Sequence, residues 1–206
     1  MKIDFSPFNE PNQETGANGI FVVDFKEEVV SKFFNDFNAL ERNEAIEVIP
    51  IFISSYGGEC DALTVMYDLI KACKKPVMTV ILGKAMSCGA ILAASGTKGY
   101  RFVSPSSRVM LHEISGGAHG KNADVAITQD EMARLNKVLM GNLSKDMGKD
   151  RKWLLDEFHK RKNTDWFVDA KEAVNLGICD YIGVPKLNVT KKVESKTVVI
   201  YPPNTR

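Results

Sequence analysis

The chain is poor in the residues and patterns that mark several function classes. It has four cysteines, Cys60, Cys73, Cys88 and Cys179, and none belongs to a CxxC pair. Three of them lie inside apolar runs, where cysteine behaves as a small hydrophobe, so all four read as reduced thiols and not as a disulfide framework or a metal site. No segment approaches the roughly 20 apolar residues that a transmembrane helix needs. The opening stretch MKIDFSPFNEPNQETGANG has no apolar run long enough for a signal peptide, and the cytoplasm is the expected location. A net charge of +1 leaves no excess of lysine and arginine for nucleic acid or an anionic membrane, so neither is expected as a partner. Internal repeats and low-complexity tracts are also missing.

What remains is an ordinary globular composition, 44% hydrophobic and 26% charged, in 206 residues, about the size of one domain. Residues 1 to 18 are polar, with Pro7, Pro11 and Gly16, and read as a flexible N-terminal arm. The domain is expected over 19 to 185. GIFVV (19 to 23) is predicted as a strand, Asp24 as an N-cap, and Val29, Val30, Phe33, Phe34, Phe37 and Leu40 recur at helical spacing. VIPIFIS (48 to 54) reads as a strand covered on both faces, with Pro50 at its start or on an edge. A helix follows, with Val65, Met66, Leu69, Ile70 and Cys73 on one face, and Pro76 ends it. Then come a strand at 77 to 82, a helix at 88 to 95, and strands at 100 to 103 and 108 to 113. This alternation predicts an α/β fold with a mainly parallel sheet and right-handed crossovers. Ligands usually bind at the carboxyl ends of such strands, where SSYGGE and GKAMSCG fall. Beyond residue 121 the spacing predicts one long helix that must project from the body. A shorter helix follows, and then one with Asp169 as cap, Glu172 three residues on and Gly177 as terminator. Residues 186 to 206 form a tail with a strand expected at 196 to 201.

Ser87 stands at a strand-to-helix junction between glycines. A serine there is ordinarily an N-cap, but a helix N-terminus also aims backbone N–H groups at the oxyanion that forms when its hydroxyl attacks a carbonyl, and Gly89 would let a substrate approach. A base is needed, and the chain has three histidines. His159 lies among Lys160, Arg161 and Lys162 on a charged helix, and His119 in the glycine-rich GGAHGK. His112 ends an apolar strand, either as a base beside a neighbouring loop or as a hydrogen-bonded core histidine. The acid that orients a base must be partly buried. Asp165, between Thr164 and Trp166 and just before a helix, reads as that acid or as a turn residue.

The succession SSYGGE, GKAMSCGA, SSRVMLHEISGG and TDWFVDAKEAVNLGICD resembles the proteolytic subunit of the Clp protease, a serine peptidase family with diverged phage-encoded members. The resemblance covers about residues 19 to 183. It implies a ClpP/crotonase-like fold of repeated β-β-α-type units with a projecting handle region at about 114 to 150. Matched residue by residue, Ser87 is the nucleophile, His112 the general base and Asp165 the orienting acid, while Gly58 and Cys88 supply the oxyanion-hole N–H groups. Gly57, Ile114, Ser115, Gly116 and Gly117 match the segment that binds extended peptide by β-augmentation. The chemistry implied is endopeptidase cleavage of short or unfolded polypeptides without ATP, metal or cofactor.

The same resemblance implies a homo-oligomer, a heptameric ring that stacks on a second ring through its handles, and an AAA+ unfoldase as partner. The chain departs from the family pattern at Tyr56 (usually Pro), Cys88 (usually Met), Glu113-Ile114 (usually Gln-Pro) and at Thr164 and Trp166, where an arginine flanking the acid is absent. Residues 1 to 18 do not match the axial loop that meets the unfoldase. Two other readings stand beside the peptidase: a catalytically silent ring component or adaptor, and an acyl-CoA enzyme of the crotonase type. The latter leaves the peptidase spacing of Ser87 and His112 unexplained.

Overall fold

The computed structural model describes residues 19 to 186. The expected arm over 1 to 18 and the tail strand at 196 to 201 lie outside the described residues. Strands β1 (Ile20–Val22), β2 (Ile49–Ser55), β3 (Val77–Met86), β4 (Arg101–Val103), β5 (Arg108–Leu111), β6 (Trp166–Val168) and β7 (Tyr181–Ile182) form one seven-stranded sheet. Between them run helices α1 (Glu27–Arg42), α2 (Cys60–Ala72), α3 (Cys88–Ala94), α4 (Asn122–Asp146), α5 (Arg151–Lys160) and α6 (Ala170–Leu176). The main path β1-β2-β3-β4-β7 is parallel throughout, as the alternation requires. Only the pairing of β5 with β6 is antiparallel. Among the described residues no helix is long and apolar enough to cross a membrane.

The strand β3 organises the rest. It is longer than its apolar run and continues to Met86, so much of GKAMSCG is strand and not loop. Its register against β2 slips between Ile53 and Ser55, opposite Gly83, which takes φ 78°, a conformation that costs glycine little. Below the slip Thr79–Ile81 pairs with β4; above it Lys84–Met86 pairs with β5. One strand therefore serves two partners on the same side, and its upper half carries Ser87 out beside β5. Pro50 sits near the start of β2. The N–H of Ile49 reaches Pro76 O at 2.9 Å on the β3 side, so the missing N–H of Pro50 falls on the β1 side, just before β1 begins to pair.

The core lies between the sheet and its helices. Ile49, Ile51 and Ile53 point into it with Phe33, Phe37, Leu40, Leu63, Met66 and Ile70. Phe52, Met78 and Val80 form a smaller cluster of their own. Two of the residues placed on helix faces by spacing are exposed, Phe34 on α1 and Val65 on α2, because each face is narrower than the run of apolar residues. Asp24 is not the cap of α1. Its carboxylate accepts from Phe25 N at 2.9 Å and pairs with Lys26 Nζ at 2.6 Å. Phe25 is held extended by a parallel bridge to Gly58, so the helix starts only at Glu27.

The long helix forms as its spacing predicts. At 25 residues and 1.5 Å per residue α4 is about 37 Å long. Its buried residues, Leu139, Met140, Leu143 and Ser144, all lie in the last third, and none of residues 122 to 138 is fully buried. The first half, up to Arg134, thus stands off the core, and Leu135 packs against it. At α6 the Asp169 carboxylate accepts from Glu172 N at 2.8 Å and Gly177 closes the helix at φ 82°.

Candidate active site

The hydroxyl of Ser87 is 2.6 Å from Nε2 of His112. Both side chains are half-buried and both elements that carry them branch from the kinked upper half of β3. Ser87 N donates to Met110 O at 2.9 Å, which locks the junction to β5 just before His112. Ser87 is the N-cap of α3 by position, yet its side chain makes no capping bond. Its backbone sits at φ 54°, ψ −120°, where a non-glycine residue costs on the order of 1–3 kcal/mol. A serine held in that conformation, with its hydroxyl turned away from the cap and onto an imidazole, is aimed at something other than its own helix.

The glycine pair faces this hydroxyl. Gly57 adopts φ 105°, and a Cβ there would lie 2.7 Å from Ser87 Cβ and 3.2 Å from its Oγ. Gly58, at φ 152°, would place a Cβ 2.3 Å from Phe25 O. Ser55, fully buried, accepts from Gly57 N at 3.0 Å. Among the described residues no hydrogen bond engages the N–H of Gly58, nor that of Cys88, the first residue of α3. Both residues line one pocket with Ser87, and the Cys88 thiol ties their loops together by donating to Gly58 O at 3.3 Å. Tyr56, before the pair, is exposed and covered by Lys84 Nζ at 4.1 Å from its ring. Gly89 does not open toward a substrate. It is buried, and its missing Cβ faces Ser55 and Ala85.

His112 lies one residue past β5, and residues 112 to 119 form no regular element. That segment is held from α4. Asn136 Oδ1 accepts from Ile114 N at 3.1 Å, and Asn136 Nδ2 donates to Glu113 Oε1 at 2.8 Å. Gly116 passes over Met132, whose Cε lies 2.8 Å from where a Cβ would be. Ser115, Gly116 and Gly117 are exposed. The sequence offered no local signal for Asn136, a polar residue on a polar helix.

Asp165 corrects two expectations. It precedes the strand β6 and not a helix, and it is exposed where partial burial was expected. The antiparallel pairs Val109 with Val168, Met110 with Phe167 and Leu111 with Trp166 place Asp165 opposite His112 one step beyond the last pair. Among the described residues it makes no hydrogen bond to His112. The preceding turn holds Lys162 and Asn163 at φ 56° and 54°, and Arg161 stacks on Trp166 at 3.9 Å from the ring. That turn sets the carboxylate outside the contact. His119 and His159 are exposed and away from this cluster.

Gly58, Cys60, Ser87, Cys88, His112 and Ile114 share one pocket, closed on its inner side by Ile91, Leu139 and Met140. Among the described residues no group of three or more histidine, cysteine or acidic side chains could hold a metal ion. A nucleophile-base pair beside two unengaged N–H donors can perform acyl transfer. A model of the Clp protease family matches residues 17–186. The match spans most of the chain, which belongs to that family and has its mainly parallel α/β fold.

Proposed function

We propose that this chain is a proteolytic subunit, a serine endopeptidase that cleaves short or unfolded polypeptides in the cytoplasm without ATP. The 2.6 Å contact between Ser87 Oγ and His112 Nε2 carries the reading. As Ser87 Oγ attacks the scissile carbonyl, its proton passes to His112 Nε2. The carbonyl oxygen becomes an oxyanion that accepts from Gly58 N and Cys88 N. The imidazolium then protonates the leaving amine, and a water molecule activated by the same nitrogen releases the acyl group. Asp165 is the acceptor for the Nδ1 proton of His112, reached when the turn at 161 to 164 shifts toward β5. Substrate lies extended along Ile114, Ser115, Gly116 and Gly117, with Gly57 allowing close approach to Ser87.

The assembly proposed is a heptameric ring of identical copies, stacked on a second ring through α4 and served by an AAA+ unfoldase. The projecting first half of α4, with Ile127 at 68% exposure, supports a role in contact between copies. A second reading, a catalytically silent ring component, is favoured by one observation, the exposed and unengaged carboxylate of Asp165.

Labelling with a fluorophosphonate probe, read by intact mass on size-separated wild type and Ser87→Ala, distinguishes them. Labelling of wild type alone supports the peptidase and identifies the competent oligomer. Absence of labelling in every fraction supports the silent component.

A further inference from the structure

Two thiols share the pocket with Ser87, and neither side chain has a part in the chemistry above. Cys60 opens α2 and Cys88 opens α3, so two helix N-termini present sulfur to one space. Both thiols line the pocket that holds Ser87, and Cys88 Sγ donates to Gly58 O at 3.3 Å. Cys60 is half-buried and open to the pocket; Cys88 is buried. The other two cysteines lie elsewhere, Cys73 at the end of α2 and Cys179 buried beyond α6.

We propose that Cys60 and Cys88 are a thiol modification site: a low-molecular-weight disulfide entering the substrate pocket oxidises them to an intramolecular disulfide, which disables Ser87. The consequence for Ser87 rests on the peptidase reading; the thiol chemistry does not. In the first step the Cys60 thiolate attacks one sulfur of the small disulfide, whose S–S bond breaks and releases one thiolate. In the second, the Cys88 sulfur attacks Cys60 Sγ and expels the other. The two thiol protons pass to the two departing thiolates, so the protein pair is oxidised by two electrons and the small disulfide becomes two thiols.

The surroundings assign the order of these steps. The neighbouring Cys88 side chain holds the Cys60 thiol down at about 7, against its burial and the nearby Asp61 carboxylate, so a large fraction is thiolate at neutral pH. The same contact, with burial, pushes the Cys88 thiol up. Cys60 is therefore the attacking sulfur and Cys88 the resolving one, and the charge that raises Cys88 disappears once Cys60 is in the mixed disulfide. A disulfide sulfur has no proton to donate, so the bond from Cys88 to Gly58 O is lost. That bond joins the two loops bearing the unengaged N–H groups.

The test treats wild type, Cys60→Ser and a Cys73→Ser/Cys179→Ser double variant with glutathione disulfide. Each is mapped by non-reducing peptide mass analysis and labelled with the fluorophosphonate probe before and after dithiothreitol. The expected result is a Cys60–Cys88 linked peptide in wild type and the double variant, with labelling about tenfold lower and restored by reductant. Cys60→Ser, compared with its own untreated form, should be insensitive. A map without that link, a glutathione adduct that stays on Cys60, or a link with undiminished labelling overturns the proposal. If reduced wild type does not label at all, the peptidase reading fails, and the mapped link alone decides the thiol site.

Discussion

Asp165 stands opposite His112, one step beyond the Leu111 and Trp166 pair that ends the β5 and β6 ladder, and its carboxylate is turned to solvent. Facing residues on antiparallel strands lie roughly 5 Å apart at their Cα atoms, a span one carboxylate can bridge. The ladder thus supplies proximity, while the turn with left-handed Lys162 and Asn163 holds the acid out of contact. Asp165→Asn should lower kcat by ~10³- to 10⁴-fold in the assembled particle, because the neutral amide no longer fixes the His112 tautomer. Unchanged kcat would show that Ser87 and His112 work as a dyad.

The glycine pair should tie catalysis to folding, because Gly57 and Gly58 both take a positive φ, 105° and 152°, that an alanine disfavours. At Gly57 an added Cβ collides with the Ser87 side chain, so Gly57→Ala is expected to cut fluorophosphonate labelling about 100-fold or more. At Gly58 the collision is with the Phe25 carbonyl, which anchors β1 to the site. Gly58→Ala should therefore also lower the thermal midpoint. An unchanged thermal midpoint in either variant would contradict this.

Asn136 fixes the segment that follows His112 through Ile114 N and Glu113 Oε1. Asn136→Ala is expected to cost about 1–2 kcal/mol by chemical denaturation, since two partly buried hydrogen bonds are lost. If Ile114 to Gly117 bind peptide, KM should rise about tenfold with a smaller change in kcat. A fall in kcat alone would place Asn136 with the catalytic pair.

The buried Arg101 pairs with the half-buried Asp180 at 2.6 Å, and it also donates to the carbonyls of Ala94, Asp146 and Gly177. Burial would raise the Asp180 carboxyl, but the Arg101 guanidinium and the N–H groups of Gly99 and Arg101 outweigh it and hold the carboxyl below its usual 3.8. A carboxyl depressed in the folded state adds stability that is fully present above the unfolded value. That stability disappears as pH falls through the lower folded value. Urea unfolding of wild type should weaken below about pH 4, and Asp180→Asn should remove that part of the dependence. Asp180→Ala should cost about 3 kcal/mol or more at pH 7, because it strands a buried guanidinium.

Much of the architecture was legible because it is written in local spacing. The run from Asn122 to Asp146, the Asp169 cap with Glu172 and Gly177, and the buried faces of Phe33, Phe37 and Leu40 each follow from residues within a few positions of one another. Misreadings arose where a distant strand intervened. Asp24 has the right side chain for a cap, but Gly58, across the sheet, keeps Phe25 extended and moves the helix start. Val65 has the right spacing for a core face, but α2 turns Leu63, Met66, Tyr67 and Ile70 to the core and leaves Val65 exposed.

The site divides in the same way. By itself the sequence determined that Ser87 would open a helix after a buried strand and that His112 would sit at the end of another, since apolar periodicity and glycine placement set both. Only the tertiary structure decided that Ser87 leaves its own cap for His112, that Asp165 faces His112 without reaching it, and that Cys60 and Cys88 line one pocket. Those contacts depend on the kink at Gly83, which sends the upper half of β3 to a different partner, and on the β5 and β6 register. A one-residue slip there would turn every side chain to the opposite face.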